Sequence, residues 1–404
     1  MDARGEIGRR IARARRRRGL SQAVLSGLVG RSESWLSQVE RGQRAVDNHT
    51  VLNALADILG LPVDELTVKK TNTMTRYQAA SAIRQAMMGY DGLSSLIDPQ
   101  HAQGSPESVV WLRHEIRRVN RLYQATQYDE VGRRLPRLIV ATELGSRHAP
   151  AAQRRAYQTL RSLTYHSATT TLRRVGEAEL AWVAADRSLA AAQEADKPLL
   201  AAVSAYRLGY VLIRLRETER ALHLVLQAAD ALQRATRRPT PRALPIVGAL
   251  YLVAVTAAAA AFDQAGVRTF LAQARQVADT LGEDRNDFWT AFGTTNVTIH
   301  EISAAVEFGD TRQAIGSSEA LNLAHLSDGL VGRRAQVHLD LARAYALQRK
   351  DAASVNMLLE AERLSPELVR YGGRPRELLT QLLKREHRAS TPHLRGLARR
   401  AGIV

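Results

Sequence analysis

One pattern of small and large side chains recurs along the chain from Pro106 onward, and it constrains the fold more than any other feature. It is clearest in two segments, Leu208 to Ala228 and Leu341 to Pro366. Small side chains let two neighbouring helices approach closely, and large ones fill the groove beside them. Pairs of helices of this kind bury their apolar faces only by stacking on further pairs. The pattern therefore predicts an all-α fold whose larger part is a helical solenoid.

The recurring residues follow the same order in both segments. They are Leu208-Gly209, Leu212, Ala221, Val225 and Ala228 in the first, and Leu341-Ala342, Tyr345, Leu358, Ala361 and Pro366 in the second. This order resembles the tetratricopeptide repeat. The small residue of each second helix is expected at Val131, Ala181, Ala221, about Thr269, Ala314 and Ser354. Because these positions lie farther apart than the standard period of about 34 residues, we expect tetratricopeptide-like hairpins with lengthened helices.

Residues 20–42 predict two short amphipathic helices joined by a turn. Ser21 and Ser32 are suited to cap these helices, because a serine hydroxyl can accept a hydrogen bond from an unpaired backbone N–H. Gly30 supplies the turn between them. The apolar side of the first helix is expected to comprise Ala23, Leu25, Leu28 and Val29.

The second of these helices is expected to be apolar on one side and polar on the other. Trp35, Leu36 and Val39 would face a small core. The outer face then carries Glu33, Ser34, Ser37 and Gln38. A short polar-faced helix held rigidly on a core is what reading the major groove of DNA requires.

Several spaced residues in this region agree with one known pattern. Gly19-Leu20-Ser21-Gln22, Gly30, Ser32 and Trp35 to Gly42 resemble the Cro-type (Xre family) helix-turn-helix, over roughly the first 66 residues. The resemblance implies that Gln22 binds a DNA phosphate and that Glu33, Ser34, Ser37 and Gln38 read bases. Arg31 departs from the family's usual small apolar residue. Glu33 is also unusual, although a carboxylate can accept a hydrogen bond from the amino group of cytosine.

The formal net charge of the chain is +17, which suits a polyanionic partner. Charge alone is weak evidence, since arginine-rich compositions also arise from genome base composition. The first helix carries a basic face that comprises Arg9, Arg10, Arg13 and Arg15 to Arg18. We expect Arg16 and Arg17 on this face, and Arg41 and Arg44 after the recognition helix, to hold phosphates of double-stranded operator DNA.

A chain of 404 residues is too long for one ordinary core, and we divide it into three parts. Residues 1–70 form the helix-turn-helix DNA-binding domain. Residues 71–105 form a partly helical connector, with a flexible joint from Asp98 to Pro106. Residues 106–404 form the tetratricopeptide-like repeat domain, which we expect to act in sensing and dimerisation.

The concave surface of a solenoid is lined by the first helix of each pair and commonly binds the ligand. We expect the ligand contacts on this surface to be Asn120, Tyr123, His166, Arg173, Tyr206, Tyr210, Asn296, His300, Ser303 and Arg343. Thr294 to His300 is the favoured contact, because Asn296 within a helix can bond an extended peptide backbone. Trp289 could supply a stacking wall. For any single residue, a bond to a neighbouring helix is at least as good an interpretation.

The whole chain resembles bacterial regulators that fuse a Cro-type head to a tetratricopeptide-like body, among them peptide-sensing quorum regulators of Gram-positive bacteria. Leu112 to Pro136 and Phe292 to His300 look like segments of the high-GC members. The resemblance implies a homodimer whose body binds a signalling peptide or a small molecule that modulates DNA binding. Two alternatives stay open: a scaffold that binds a protein partner, and a mobile-element repressor without a small ligand.

Other classes of protein fit the sequence poorly. The chain has no cysteine, which excludes disulfides and thiolate metal sites. Motifs for a catalytic serine, a phosphate-binding glycine loop or a metal are missing, so we expect no enzyme, no cofactor and no catalytic residue. The apolar run from Leu244 to Phe262 fits a buried solenoid helix better than a membrane span. With no apolar signal region at the N-terminus, we expect a cytoplasmic protein.

Overall fold

Twenty α-helices account for most of the residues that the computed structural model describes, which are 3–46, 49–61, 77–89, 107–235, 242–387 and 389–404. The helices are α1 Ala3–Arg17, α2 Gln22–Leu28, α3 Glu33–Glu40, α4 His49–Leu59, α5 Ala79–Met88, α6 Val109–Gln124, α7 Tyr128–His148, α8 Arg154–Arg174, α9 Ala178–Glu194, α10 Pro198–Arg214, α11 Thr218–Ala235, α12 Leu244–Ala260, α13 Gln264–Leu281, α14 Thr294–Phe308, α15 Thr311–Glu319, α16 Val331–Leu347, α17 Asp351–Leu364, α18 Pro366–Tyr371, α19 Gly373–Lys384 and α20 Leu394–Arg400. The expected all-α fold is confirmed. The predicted joint from Asp98 to Pro106 lies outside the described residues.

Helices α1 to α4 form the N-terminal head around a small core. Ile11, Leu25, Leu36 and Leu55 are completely buried in it. The two predicted caps are confirmed, because Ser21 Oγ accepts a hydrogen bond from the Val24 N–H and Ser32 Oγ accepts one from the Trp35 N–H.

The expected apolar side of α2 is correct only in part. Leu25 is buried and Val29 is half-buried, whereas Ala23 is exposed and Leu28 is 58% exposed. A helix of only seven residues turns one narrow stripe toward so small a core, and Leu25 occupies it.

The body is built from six consecutive hairpins, α6–α7, α8–α9, α10–α11, α12–α13, α14–α15 and α16–α17, followed by α18 to α20. Every hairpin turn has the same backbone geometry. The residue two positions before the second helix has a positive φ, and these residues are Thr126, Gly176, Arg216, Phe262, Gly309 and Arg349. The shared geometry makes the hairpins repeats of one structural unit.

The predicted small positions of the second helices are confirmed in five hairpins and wrong in one. Val131, Ala181, Ala221, Ala314 and Ser354 are all fully buried. In the fourth hairpin the equivalent residue is Val267, whereas Thr269 is exposed. The turn before α13 is made by Phe262, and Thr269 lies two residues beyond the position that this turn sets.

The two ends of the body meet, which closes the solenoid. The Tyr371 hydroxyl donates to Asp129 Oδ1 at 2.8 Å, and Glu367 Oε2 accepts from the Asp129 N–H at 2.9 Å. Tyr77, just before α5, packs edge-to-face on Tyr371 and donates to the Tyr128 carbonyl. The concave side of the solenoid therefore surrounds an internal space.

The apolar run that begins at Leu244 forms α12, which is buried along almost its whole length between α11, α13 and other body helices. The expectation of a buried solenoid helix is confirmed. Across the described ranges, no helix has both the length and the apolar character to cross a membrane.

Candidate DNA-reading face and internal cavity

Helix α3 presents a polar face to solvent. Glu33 and Ser34 are exposed, and Ser37 and Gln38 are half-buried on the same side. Leu36 and Val39 anchor the opposite side in the head core. Within the described residues, these four polar side chains form no hydrogen bond that would hold them back from a partner. The geometry expected from the sequence for a recognition helix is present.

A buried ion pair fixes α3 against α1. Arg15 donates to both carboxylate oxygens of Glu40, from Nε at 2.6 Å and from Nη2 at 2.9 Å, and its Nη1 donates to the Leu20 carbonyl. Both side chains are less than one tenth exposed. Arg15 was expected on the exposed basic face, and this was wrong because its guanidinium forms a bidentate pair with the buried Glu40 carboxylate.

Glu40 also accepts a hydrogen bond from Nε2 of Gln22 at 2.6 Å. This bond orients the Gln22 amide at the start of α2. It uses one of the two N–H groups of Nε2, so the other can donate to a second acceptor. Arg41 and Arg44 follow α3 and are both exposed. The expected phosphate contacts of these three residues are compatible with their placement and stay predictions.

The two other predicted phosphate contacts, Arg16 and Arg17, lie where the head rests on the body. Arg17 Nη2 donates to Glu307 Oε1 at 2.8 Å, and its Nε donates to the Glu307 carbonyl. The Arg16 guanidinium lies 5.8 Å from the ring centre of Phe262, and that of Arg13 lies 5.6 Å from it. In this conformation Arg17 is held by the body and cannot also hold a DNA phosphate, which corrects its expected role.

The head sits on the hairpin turns of the body. Gly309, in the turn before α15, shows how close the approach is, because a Cβ atom there would lie 2.8 Å from the Arg17 carbonyl oxygen. With a φ of +81°, this position also favours glycine over any other residue.

Glu307 is the buried carboxylate at this contact, with 6% of its surface exposed. Besides Arg17, it accepts a hydrogen bond from Arg343 Nη2 at 3.0 Å and lies 3.8 Å from Arg374. Burial by itself would raise the pKa of Glu307, but Arg343, Arg374 and Arg17 together lower it well below the usual value. Glu307 is thus a carboxylate at neutral pH, shared between the head and the body.

The closed body contains a cavity of about 240 Å³. The first helices of all six hairpins line it, as expected for a concave surface, and Gly373 and Arg374 at the start of α19 complete the wall. The volume lies just below the range of about 300–1,000 Å³ that is usual for sites of drug-sized ligands. A second hollow, of about 670 Å³, shares Trp289 with this cavity but contains none of the predicted ligand residues.

Arginine dominates the wall of the cavity. Among the described residues, one carboxylate, that of Asp340, lines the cavity, against seven arginines: Arg173, Arg174, Arg207, Arg214, Arg333, Arg343 and Arg374. Only Arg173 and Arg343 among them were predicted from the sequence. Of the others, Arg174 and Arg207 directly follow predicted residues and Arg214 lies one turn after Tyr210, but helical spacing alone did not identify them.

Seven of the ten predicted ligand residues line the cavity. They are Tyr123, Arg173, Tyr206, Tyr210, His300, Ser303 and Arg343. Two rings are covered by guanidinium groups, since Arg173 lies 5.0 Å from the ring centre of Tyr210 and Arg207 lies 5.7 Å from that of Tyr206. The structure therefore brings together a shell of aromatic rings and arginines.

The other three predicted residues lie between helices, and their expected role as ligand contacts is wrong in this structure. Asn120 is 2% exposed and donates to Ser167 Oγ and to the Ile116 carbonyl. His166 is fully buried with its Nε2 beside Ser204 Oγ. Asn296, the favoured contact, is 2% exposed and does not line the cavity. Asn120 of α6 thus bonds to α8, His166 of α8 lies against α10, and Asn296 is buried within α14.

Within the stretch from Thr294 to His300, which was the favoured ligand contact, His300 lines the cavity. Its Nδ1 lies 2.8 Å from the Asn296 carbonyl, which only accepts, so Nδ1 carries the proton. Nε2 is then an acceptor for the Tyr210 hydroxyl at 3.0 Å. Burial, together with the charge of Arg333, lowers the pKa of His300 to about 3, so the ring is neutral at pH 7.

The connection between α13 and α14 forms one wall of the cavity, and Trp289, which the sequence suggested as a stacking wall, lies in it. Phe288, Trp289 and Ala291 all have positive φ values there. Non-glycine residues in this conformation cost about 1–3 kcal/mol each and cluster at ligand sites. The Phe288 carbonyl accepts from Arg207 at 2.8 Å, so cavity arginines help to hold this loop in place.

Comparison with known proteins identifies the head. Residues 6–67 match the family model described as a helix-turn-helix domain, so α1 to α4 form a DNA-binding domain of that type. A search of curated protein sequences finds none that matches the chain. Among solved structures, the chain is similar to Bacillus thuringiensis PlcR in complex with the peptide PapR7 and DNA. The sequence identity is 12%, the TM-score is 0.33, and the match covers 89% of this chain and 99% of that chain.

Replacement of Glu40 by Gln should selectively destabilise the head. It leaves the buried Arg15 guanidinium without a counter-charge, which costs about 3 kcal/mol or more in comparable buried pairs. Native-state hydrogen exchange of the full chain should report this loss in α1 to α4 and not in the body helices. Glu33→Gln, at an exposed carboxylate of the same helix, is the control and should change exchange by less than about 0.5 kcal/mol. Equal effects of the two substitutions would contradict the structural role of Glu40.

The neutral state of His300 predicts a pH dependence of stability. Its folded pKa lies below that of the unfolded chain, so its contribution is complete above about pH 6.5 and is lost as the pH falls toward 3. Over that window one such histidine lowers the free energy of unfolding by up to about 1.4 kcal/mol per pH unit.

Urea denaturation between pH 7 and pH 5 should therefore show a weaker pH dependence in His300→Gln than in the unmodified protein. His223→Gln, at an exposed histidine of α11, should leave the dependence unchanged. If His300→Gln behaved like the control, His300 would not be buried and neutral in the folded state.

Proposed function

We propose that this chain is a homodimeric, sequence-specific transcriptional regulator whose body holds a peptide or small-molecule ligand that modulates DNA binding. One observation carries the proposal: a helix-turn-helix head presents the polar face of α3 to solvent and fixes it from behind through the Arg15–Glu40 ion pair. A rigid polar helix of this size fits the major groove, where base edges offer distinct patterns of donors and acceptors.

The proposed contacts divide into two classes. Glu33, Ser34, Ser37 and Gln38 read base edges. Gln22, Arg16, Arg41 and Arg44 hold the flanking phosphates, which contribute salt-dependent affinity without sequence information. Arg17 is left out of the second class, because Glu307 holds it in the docked head.

A homodimer follows from the size of the reading surface. One recognition helix reads only a few base pairs, and two half-sites give the specificity that a regulator needs against the rest of a genome. The body is the proposed dimerisation element, as in the sequence-based expectation, and its two copies would set the spacing of the two heads.

Ligand control requires a physical connection between cavity and head, and Glu307 supplies one. Its carboxylate contacts Arg17 of the head and Arg343 of the cavity wall at the same time. A ligand that draws Arg343 toward the cavity changes how strongly Glu307 holds Arg17. Ligand binding and head docking would then share a coupling free energy, which is typically about 1–3 kcal/mol in allosteric proteins.

The proposal is tested first by selection of fragmented genomic DNA with the full chain at near-physiological salt. A palindromic site with one half-site spacing is the expected result. Diffuse binding alone would reduce the head to an anchor on the DNA backbone.

Gln38→Ala should weaken binding to the selected operator by about 1–3 kcal/mol while binding to random DNA stays unchanged, because a lost base contact affects only the specific complex. Asn53→Ala, which removes an exposed amide from α4, is the matched control and should change neither affinity. A binding titration in which Gln38→Ala loses affinity equally for both DNAs would remove this residue from the base-reading set.

A further inference from the structure

Four of the cavity-wall arginines that are buried or half-buried have no carboxylate partner among the described residues. Among the described residues, Arg173, Arg174, Arg207 and Arg333 form no ion pair, although the chain pairs many of its other arginines. Arg207 is 4% exposed, and the other three are half-buried. A buried guanidinium without a counter-charge is costly, because its lost hydration is not replaced by an opposite charge.

The partners that these arginines do have are neutral. Arg207 donates to the Phe288 carbonyl at 2.8 Å, and Arg333 is 3.5 Å from the Thr290 carbonyl. Arg173 lies over the ring of Tyr210. Carbonyls and rings orient a guanidinium group but leave its full positive charge in the cavity.

Several guanidinium nitrogens also lack any acceptor. The Nε atoms of Arg174 and Arg207 and Nη1 of Arg343 are buried without a hydrogen-bond partner in the described part of the chain. Buried donors of this kind are rare in folded proteins, and each one calls for a partner. The free donors come from α8, α10 and α16, on different sides of one cavity.

The positive charge is strong enough to act on neighbouring groups. Burial would raise the pKa of Tyr123, yet the charges of Arg174, Arg173 and Arg333 outweigh burial and lower it. An anion in the cavity would be stabilised by the same charges, and more strongly than in water because the surroundings are less polar.

We propose that the cavity is the binding site of a compact anion with at least two negative charges, carried by phosphate or carboxylate groups. The fork of a guanidinium matches the oxygen pairs of both groups. A volume of about 240 Å³ leaves room for a small molecule and not for an extended peptide of several residues. The inference rests on the proposed function, in that it gives the chemical class of the body's ligand.

Inorganic pyrophosphate and citrate are suitable probes, since they represent the phosphate and the carboxylate source of the same charge. Each is titrated calorimetrically into the full chain against sodium chloride of equal ionic strength, and thermal unfolding is followed in parallel. Saturable binding of one or both probes at one site per chain, with a rise in the unfolding temperature, is the expected result. Binding of pyrophosphate alone identifies a phosphorylated ligand, and binding of citrate alone identifies a polycarboxylate.

Variants locate the site. Arg173→Gln and Arg333→Gln should each weaken probe binding at least tenfold, while Arg312→Gln, at an exposed arginine of α15, should leave it unchanged. Without a probe, the two cavity variants should unfold at a higher temperature than the unmodified chain, because each removes an unpaired charge from a repulsive cluster. A destabilised cavity variant would show that the arginines are already compensated, which would overturn the inference.

Two further outcomes would overturn it. One is that neither probe binds beyond the chloride control. The other is that all variants bind equally, in which case the anion occupies the basic head or another surface. Both outcomes leave the proposed function intact if the chain still recognises the selected operator. Conversely, anion binding without recognition of any specific operator would refute the proposed function and leave the proposed anion site intact.

Discussion

The carboxylate of Glu307 is the interaction on which the relation between head and body depends. It lies among Arg17 from the head and Arg343 and Arg374 from the body, and it is almost completely buried. Arginine outnumbers carboxylate on both sides of this contact, so removal of the one negative charge would turn attraction into repulsion. Arg13 and Arg16 also contact the body at Phe262, but Glu307 is the charge that the two parts share, so a change at Glu307 would shift the contact.

The closed solenoid explains why such charges are found in the interior. Six hairpins with one turn geometry place their first helices around a common axis, and the bonds from Tyr371 and Glu367 to Asp129 close the ring. Side chains on the inner faces then meet in a cavity instead of facing open solvent. Unpaired arginines in that space cost stability, and proteins commonly retain such a cost where a ligand is bound.

Features that depend on neighbouring residues were predictable from the sequence. The caps at Ser21 and Ser32 and the polar face of α3 involve residues within a few positions of each other, and the structure contains them as expected. The small residues of five hairpins were also predictable. Close packing requires a buried residue at the same position of the second helix in every repeat, and this position follows from the local pattern.

Features that depend on distant residues were not predictable. Arg15 lies in a run of arginines that look alike in the sequence. Only the three-dimensional structure shows that Arg15 is the one that is buried against Glu40. The same holds for Arg17, whose partner Glu307 lies in the body. Asn296 was placed in the cavity by repeat register, but it is buried outside the cavity lining, whereas His300 and Ser303 of the same helix line it. The position in the fourth hairpin was wrong by two residues, because the start of α13 at Gln264 places Val267 and not Thr269 at the buried position.

The most direct test of the account is a double-mutant cycle on operator affinity with Arg17→Gln and Arg343→Gln. The two side chains belong to the head and to the cavity wall, and Glu307 is the group that both contact. We predict that Arg343→Gln changes the operator Kd several-fold in the unmodified chain and has no further effect when Arg17 is already replaced. Additive effects of the two substitutions, or no effect of Arg343→Gln on DNA binding, would contradict the coupling of the cavity to the head.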